Sequence, residues 1–139
     1  MKKYYLGISL IIFCIAGFYV YSTYNKPHKN LLNQKAEFVV KPDEWILEFD
    51  TDEVKALNKY LNKIVELEAE IIDIQTIENK TLWTLKTGSE MVNIQCEMDP
   101  RFVKEALKYG KKGAQVRVQG LCSGKLMDIV LNQVVCLNK

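Results

Sequence analysis

From Ile64 onward the chain changes period, and that change restricts its fold more than any other feature. Val65, Leu67, Ala69 and Ile71 alternate with Glu66, Glu68 and Glu70, the two-residue period of a strand with one face toward a core and one toward water. The apolar phase then moves to Ile72 and Ile74. A slip of one residue is what a β-bulge produces, and it lets a single long strand bend from one sheet into another. Glu78-Asn79-Lys80 marks a turn, Thr81 to Lys86 a second strand and Thr87-Gly88-Ser89 another turn. In a third strand Val92, Ile94, Cys96 and Met98 alternate with Asn93, Gln95 and Glu97. Asp99 and Pro100 read as the cap and first residue of a helix that Gly110 ends. Ala114, Val116 and Val118 then alternate with Gln115, Arg117 and Gln119, and after Gly120 to Gly124 a fifth strand runs from Ile129 through Leu137.

Three strands, a helix and two strands is the order of an OB-fold, a small closed Greek-key barrel whose helix lies between the third and fourth strands. Two short helices precede it. Pro42 suits a first helical position, Asp43 and Glu44 favour the positive end of the helix dipole, and Trp45, Ile46 and Phe49 form an apolar stripe. Asp50 then reads as an N-cap, with Glu53 completing a capping-box-like pair before Val54, Leu57 and Leu61. Trp45, Phe49 and Tyr60 are expected in the core. The expected fold is mainly β with α: an N-terminal transmembrane helix, two short helices, then the five-stranded barrel.

The N-terminal expectation rests on hydropathy. Lys2 and Lys3 precede an almost unbroken apolar run from Tyr4 to Tyr24, about the ~20 residues a helix needs to cross a bilayer. A cleaved signal peptide carries a shorter apolar region and a small-residue cleavage site, which Phe18-Tyr19-Val20-Tyr21 fits poorly; lipidation at Cys14 would follow the large Phe13. Both alternatives stay open beside the uncleaved anchor. Residues 1–24 are read as the anchor, 25–34 as a tether in which Pro27 disfavours helix, and 35–139 as one barrel domain with a helical extension. A short N-tail inside with an exported domain places that domain outside the cytoplasm, in the periplasm.

Subtracting Lys2 and Lys3 from the 19 Lys plus Arg leaves 17 cations against 17 Asp plus Glu, so the exported part is formally neutral. Nucleic-acid binders usually carry a clustered cationic surplus, because phosphate neutralisation supplies much of their affinity. The usual OB ligand face, the outer surface of the second and third strands, would offer Trp83 or Thr84, Lys86, Asn93, Gln95 and Glu97. One aromatic and one lysine beside Glu66, Glu68 and Glu70 disfavour an oligonucleotide. Lys108, Lys111 and Lys112 read as a solvated helix end, with contact to anionic lipid headgroups as the functional alternative.

Cys14 lies in the apolar run, leaving Cys96, Cys122 and Cys136. A turn near Gly124 would put Cys122 and Cys136 at opposite ends of a hairpin, too far apart to bridge. The third and fifth strands of an OB barrel run side by side and parallel, which makes Cys96–Cys136 the disulfide candidate, with reduced thiols as the alternative. No Cys-x-x-Cys supports thiol exchange. His28 is the only histidine and falls in the tether, so neither a histidine triad nor a multi-histidine metal site can be assembled within one chain. No nucleotide-loop or G-x-S-x-G motif is present. Neither metal nor cofactor is expected, and Asp128 reads as a turn residue accepting backbone hydrogen bonds.

Ala56-x-x-x-Tyr60, Val92-x-Ile94-x-Cys96 and Gly120-x-Cys122-x-Gly124-x-x-x-Asp128-Ile129-x-Leu131 together resemble the bacterial tRNA_anti-like OB-fold family, over about Glu37 to Leu137. The resemblance implies a secreted, lipoprotein or membrane-tethered barrel; the family label, which records kinship to anticodon-binding barrels, is no evidence of activity. The expected function is a membrane-anchored, non-catalytic binding module for an envelope protein, peptide or glycan. Binding of an oligonucleotide or oligosaccharide on the barrel face is the alternative, and a thiol-dependent envelope enzyme a distant third.

Overall fold

The computed structural model describes the backbone of residues 2–24 and 30–138, and the side chains of 11–22 and 30–138. Helix α1 spans Lys2–Tyr24. Its described apolar side chains face solvent, Phe13 and Phe18 with 80% and 74% of their surface exposed. Among the described residues no helix is long and apolar enough to cross a membrane, so the transmembrane helix expected at residues 4–24 has no support from the structure.

Strand β2, Ile64–Ile77, is the organising element. Its first half, Ile64 to Glu70, pairs antiparallel with β5, Gln115–Lys125. From Ile71 it pairs instead with β3, Lys80–Leu85, and the register shift falls between Ile71 and Asp73, where the alternation changes phase. β3 pairs antiparallel with β4, Ile94–Met98, which lies parallel to β6, Ile129–Cys136. β6 returns to β5, and the β2–β5 pairing closes a five-stranded barrel. Closure removes the open edges a flat sheet of these strands would carry.

Three elements upstream brace that barrel. A three-residue strand β1, Phe38–Val40, runs parallel to β2 at Val65 to Leu67, along the stretch of β2 that β3 does not reach. Sequence periodicity missed it because three residues carry no period; only the Phe-Val-Val composition signals it. Helix α2, Pro42–Thr51, and helix α3, Glu53–Tyr60, then fold back on the wall. The cap of α3 is Asp52, whose carboxylate accepts from the Lys55 amide at 3.0 Å. The expected cap, Asp50, instead pairs with Lys125 of β5, so the helix starts two residues later than its capping-box pattern suggested.

Trp45, Phe49, Tyr60 and Phe38 interlock edge-on or stacked at 5.0–6.1 Å between centroids, and the first three are buried with the barrel interior. Each such contact adds about 0.5–1.5 kcal/mol beyond the area it buries. The Tyr60 hydroxyl donates to Glu48 at 2.9 Å, so its polar end is satisfied.

The barrel's other end is filled by helix α4, Val103–Tyr109. Asp99 does not cap it directly: its carboxylate accepts from the Arg101 amide at 3.0 Å and pairs with the Arg101 guanidinium, forming a turn before the helix. Ala106 faces inward, and Gly110 lies so close to the indole of Trp83 that a Cβ there would sit 2.2 Å from Cζ2. A second apolar cluster of Leu31, Ile64 and Val135 lies outside the barrel wall. Leu31 opens a single 3₁₀ turn, Leu31–Asn33. The buried Gln119 amide donates to the carbonyls of Leu31 and Gln34 at 2.9 and 2.7 Å, tying the N-terminal segment to β5.

Candidate ligand face

Cross-strand register fixes which side chains share the outer face of β2, β3 and β4. Ile74, Trp83 and Cys96 stand opposite one another and point inward, as do Ile71, Leu85 and Ile94. Asp73, Thr84 and Gln95 therefore form one outward row, continued by Val130 of β6, and Gln75, Leu82 and Glu97 form the next.

This corrects one expected ligand contact. Trp83 has no exposed surface; it is a core residue against Gly110, because the β3 alternation places Thr81, Trp83 and Leu85 on the inner face. Thr84 holds the outward position. Lys86 is exposed at the end of β3, with its ammonium 3.6 Å from Glu70, away from the outward rows. Asn93 and Gln95 are brought together as expected, and a third residue does it. Asp128 accepts from the Asn93 amide at 2.9 Å through Oδ1 and from the Gln95 side-chain amide at 3.1 Å through Oδ2, while the Ile129 amide donates to the Asn93 carbonyl at 3.1 Å. The turn 126–128 and the loop 86–93 are thereby held side by side. The backbone-accepting role read for Asp128 is the one it has; that it gathers the face was not visible.

On these joined loops Met91, Leu126 and Met127 have 90%, 90% and 86% of their surface exposed. Three large apolar side chains on these joined loops are thus left in water. The face below them is polar and close to charge-balanced. Lys80 pairs with Glu97 at 2.8 Å, and a hydrogen bond from Gln75 holds the Asp73 carboxyl below its ordinary range. Among the described outward residues of these rows none is aromatic.

The glutamates of β2 are less open than expected. Glu66 is buried against Arg117, whose Nε donates to it at 2.6 Å, and Glu70 faces Lys86. Only Glu68 of the three is exposed.

The cysteines are free thiols. Cys96 and Cys122 flank Leu131 on either side of β6, two strand spacings or about 10 Å apart. Cys136 lies five residues beyond Leu131 and pairs with Val118, so it is roughly 16 Å from Cys96 along the ladder, where a bridge needs about 7 Å or less between Cα atoms. The expected Cys96–Cys136 disulfide is excluded by this register. Burial pushes all three thiols up from their ordinary range, Cys96 most strongly. Among the described residues no three His, Cys, Asp or Glu side chains converge to hold a metal ion; His28 lies outside the described residues.

Comparison with known proteins agrees with this architecture. A model of the tRNA_anti-like family matches residues 1–135. Similar solved structures include a lipoprotein from Klebsiella pneumoniae to which nucleic-acid binding has been ascribed, with TM-score 0.60, 12% identity, and coverage of 72% of this chain and 92% of that one. Another is the Stn1–Ten1 complex of S. pombe, with TM-score 0.44 and 20% identity over 55% of this chain and 59% of that one. No curated protein matches. At 12% identity the likeness to the Klebsiella lipoprotein establishes the shared barrel alone.

Proposed function

The chain belongs to the tRNA_anti-like family, and from that premise we propose a membrane-anchored, extracytoplasmic OB-fold module that binds a protein or peptide segment and catalyses no reaction. The observation that carries the ligand class is the exposure of Met91, Leu126 and Met127 on loops that Asp128 joins. An extended peptide would lay apolar side chains on these tips and hydrogen-bond along Gln95, Thr84 and Gln75. A base-stacking ligand would look for aromatic platforms, and the outward rows offer none.

The anchor is proposed from the sequence, in which the run from Tyr4 to Tyr24 is almost unbroken in apolar residues. Ile11, Ile12, Phe13, Ile15, Phe18 and Val20 are all more than half exposed, and no charged residue interrupts positions 11–22. A helix apolar all round is covered by lipid or by protein, not water. A thiol-dependent reaction is disfavoured by burial, which raises the Cys96 and Cys122 thiols and makes them poor nucleophiles.

Photo-crosslinking from position 127 of the full-length chain in intact cells tests the reading. A discrete protein adduct that disappears when Met91→Ser and Leu126→Ser are introduced is the expected result. No adduct, together with retention of single-stranded DNA that weakens as salt rises, would instead establish the second reading. That reading, an oligonucleotide on the same flank, is favoured by the activity ascribed to the Klebsiella lipoprotein. Alkaline phosphatase fused after Lys139 is expected to be active, as export of the domain requires.

A further inference from the structure

We infer that the outward face of α4 and the turn after it form a second contact surface, which rests on anionic lipid headgroups and fixes how the barrel stands on the membrane. The inference depends on the anchor proposed above. It begins with reach. Positions 25–29 alone lie between Tyr24 of α1 and Asn30, and six steps of even fully extended chain cover only about 20 Å. A barrel on so short a leash stays within about two Debye lengths of the headgroups at physiological salt.

The point of attachment then selects the face. Leu31 is buried and fastened by Gln119, so the barrel cannot turn freely about that residue. The next residues, Leu32 and Asn33, line a groove of about 440 Å³ together with Phe102, Glu105 and Tyr109 at α4. The chain therefore reaches the barrel beside α4, at the end opposite the turn 126–128, since β4 and β6 run parallel from that turn toward the helix.

What α4 presents there is cationic with an apolar fringe. Ala106 faces the core; Lys104 and Lys108, two positions to either side and one turn apart, lie on the opposite, exposed side. Lys111 and Lys112 follow in the next turn, also exposed. Leu107 and Tyr109 flank the lysines with 47% and 42% of their surface in water. Carboxylates near them are few: Asp99 is buried and engaged by Arg101, Asp73 feels Lys112 through space, and Glu105 lies on the groove side. Lysines with long apolar stems between a leucine and a tyrosine suit the headgroup layer, where stems and rings lie in the apolar boundary while ammonium groups meet phosphate. The apolar tips Met91, Leu126 and Met127 are then directed away from the bilayer, toward a partner.

Lysine acylation read by mass spectrometry tests this on the full chain, reconstituted in vesicles of phosphatidylcholine alone or mixed with phosphatidylglycerol. In the anionic vesicles Lys104 and Lys108 should react about threefold or more slowly than in the neutral ones, the protection should vanish in molar salt, where the Debye length is about 3 Å, and Lys55 on α3 should not change. Equal rates at α4 in both vesicle types, with the chain resistant to extraction by alkaline carbonate, would overturn the inference and leave the anchor standing. Release by carbonate would overturn the anchor, and the inference with it.

Discussion

Gly110→Ala should destabilise the protein although the backbone at that position welcomes alanine. Gly110 has φ −77° and ψ 95°, a conformation any L-residue adopts, so loss of unfolded-state freedom alone would stabilise the variant by about 0.4–1 kcal/mol. The opposing effect is the indole of Trp83. A Cβ at Gly110 would lie 2.2 Å from Cζ2, 2.6 Å from Cη2 and 3.0 Å from Cε2, all atoms of a rigid ring with no exposed surface and nowhere to swing. Overpacking of this kind costs about 1–3 kcal/mol, leaving a net loss of up to roughly 2.6 kcal/mol once the entropic gain is offset. Urea unfolding of the full chain in mild detergent, followed by circular dichroism, measures it. Trp83→Phe removes the three encroached atoms, so in that background Gly110→Ala should be neutral or stabilising, with a compensating coupling of about 1 kcal/mol or more. Additive effects, or a more stable Gly110→Ala single variant, would refute the packing argument.

Asp128→Ala removes both acceptors that hold Asn93 and Gln95 and should cost about 1–3 kcal/mol, with hydrogen exchange rising in loop 86–93 before it rises in the barrel strands. Because burial raises the Cys96 and Cys122 thiols, the folded state keeps their protons after the unfolded chain has released them. Their stability contribution is therefore complete below the unfolded thiol value near 8.5 and declines as pH rises beyond it, by about 1.4 kcal/mol per pH unit per thiol; denaturation midpoints between neutral and alkaline pH should show the decline, and Cys96→Ala should reduce its slope. Gln119→Leu leaves the carbonyls of Leu31 and Gln34 without their donor and should speed limited proteolysis between residues 30 and 36 while the barrel core stays protected.

The barrel was legible because its strands alternate cleanly. Val65 to Ile71, the slip at Ile72 and the inward set Ile94, Cys96 and Met98 fix strand faces through a period that only one register satisfies. Two misreadings share one cause, a local signal that fits two placements. Asp50 and Asp52 both precede a helical stripe, and the pairing of Asp50 with Lys125, far away in sequence, settles which one caps. Thr81 to Leu85 can face either way until Gly110 is seen to leave room for an indole. The disulfide failed for a different reason: parallel neighbours need not be level, and here Cys96 stands opposite Leu131, with Gln133 at φ 54° in the irregular part of β6. The loop tips Met91, Leu126 and Met127 are isolated hydrophobics in sequence, and it takes the Asp128 hydrogen bonds and the Ile129–Asn93 backbone bond to make neighbours of their loops.

Under the proposed anchor, the fastening of residues 31–40 also has a mechanical meaning. Tension arriving along the chain meets the Gln119 grip at Leu31 and Gln34 first, then the Glu37 amide on the Ile64 carbonyl, then the rungs between β1 and β2. These restraints lie in series, ahead of any strand of the closed cylinder, so a jolt strips a ten-residue strap and spares the wall behind it.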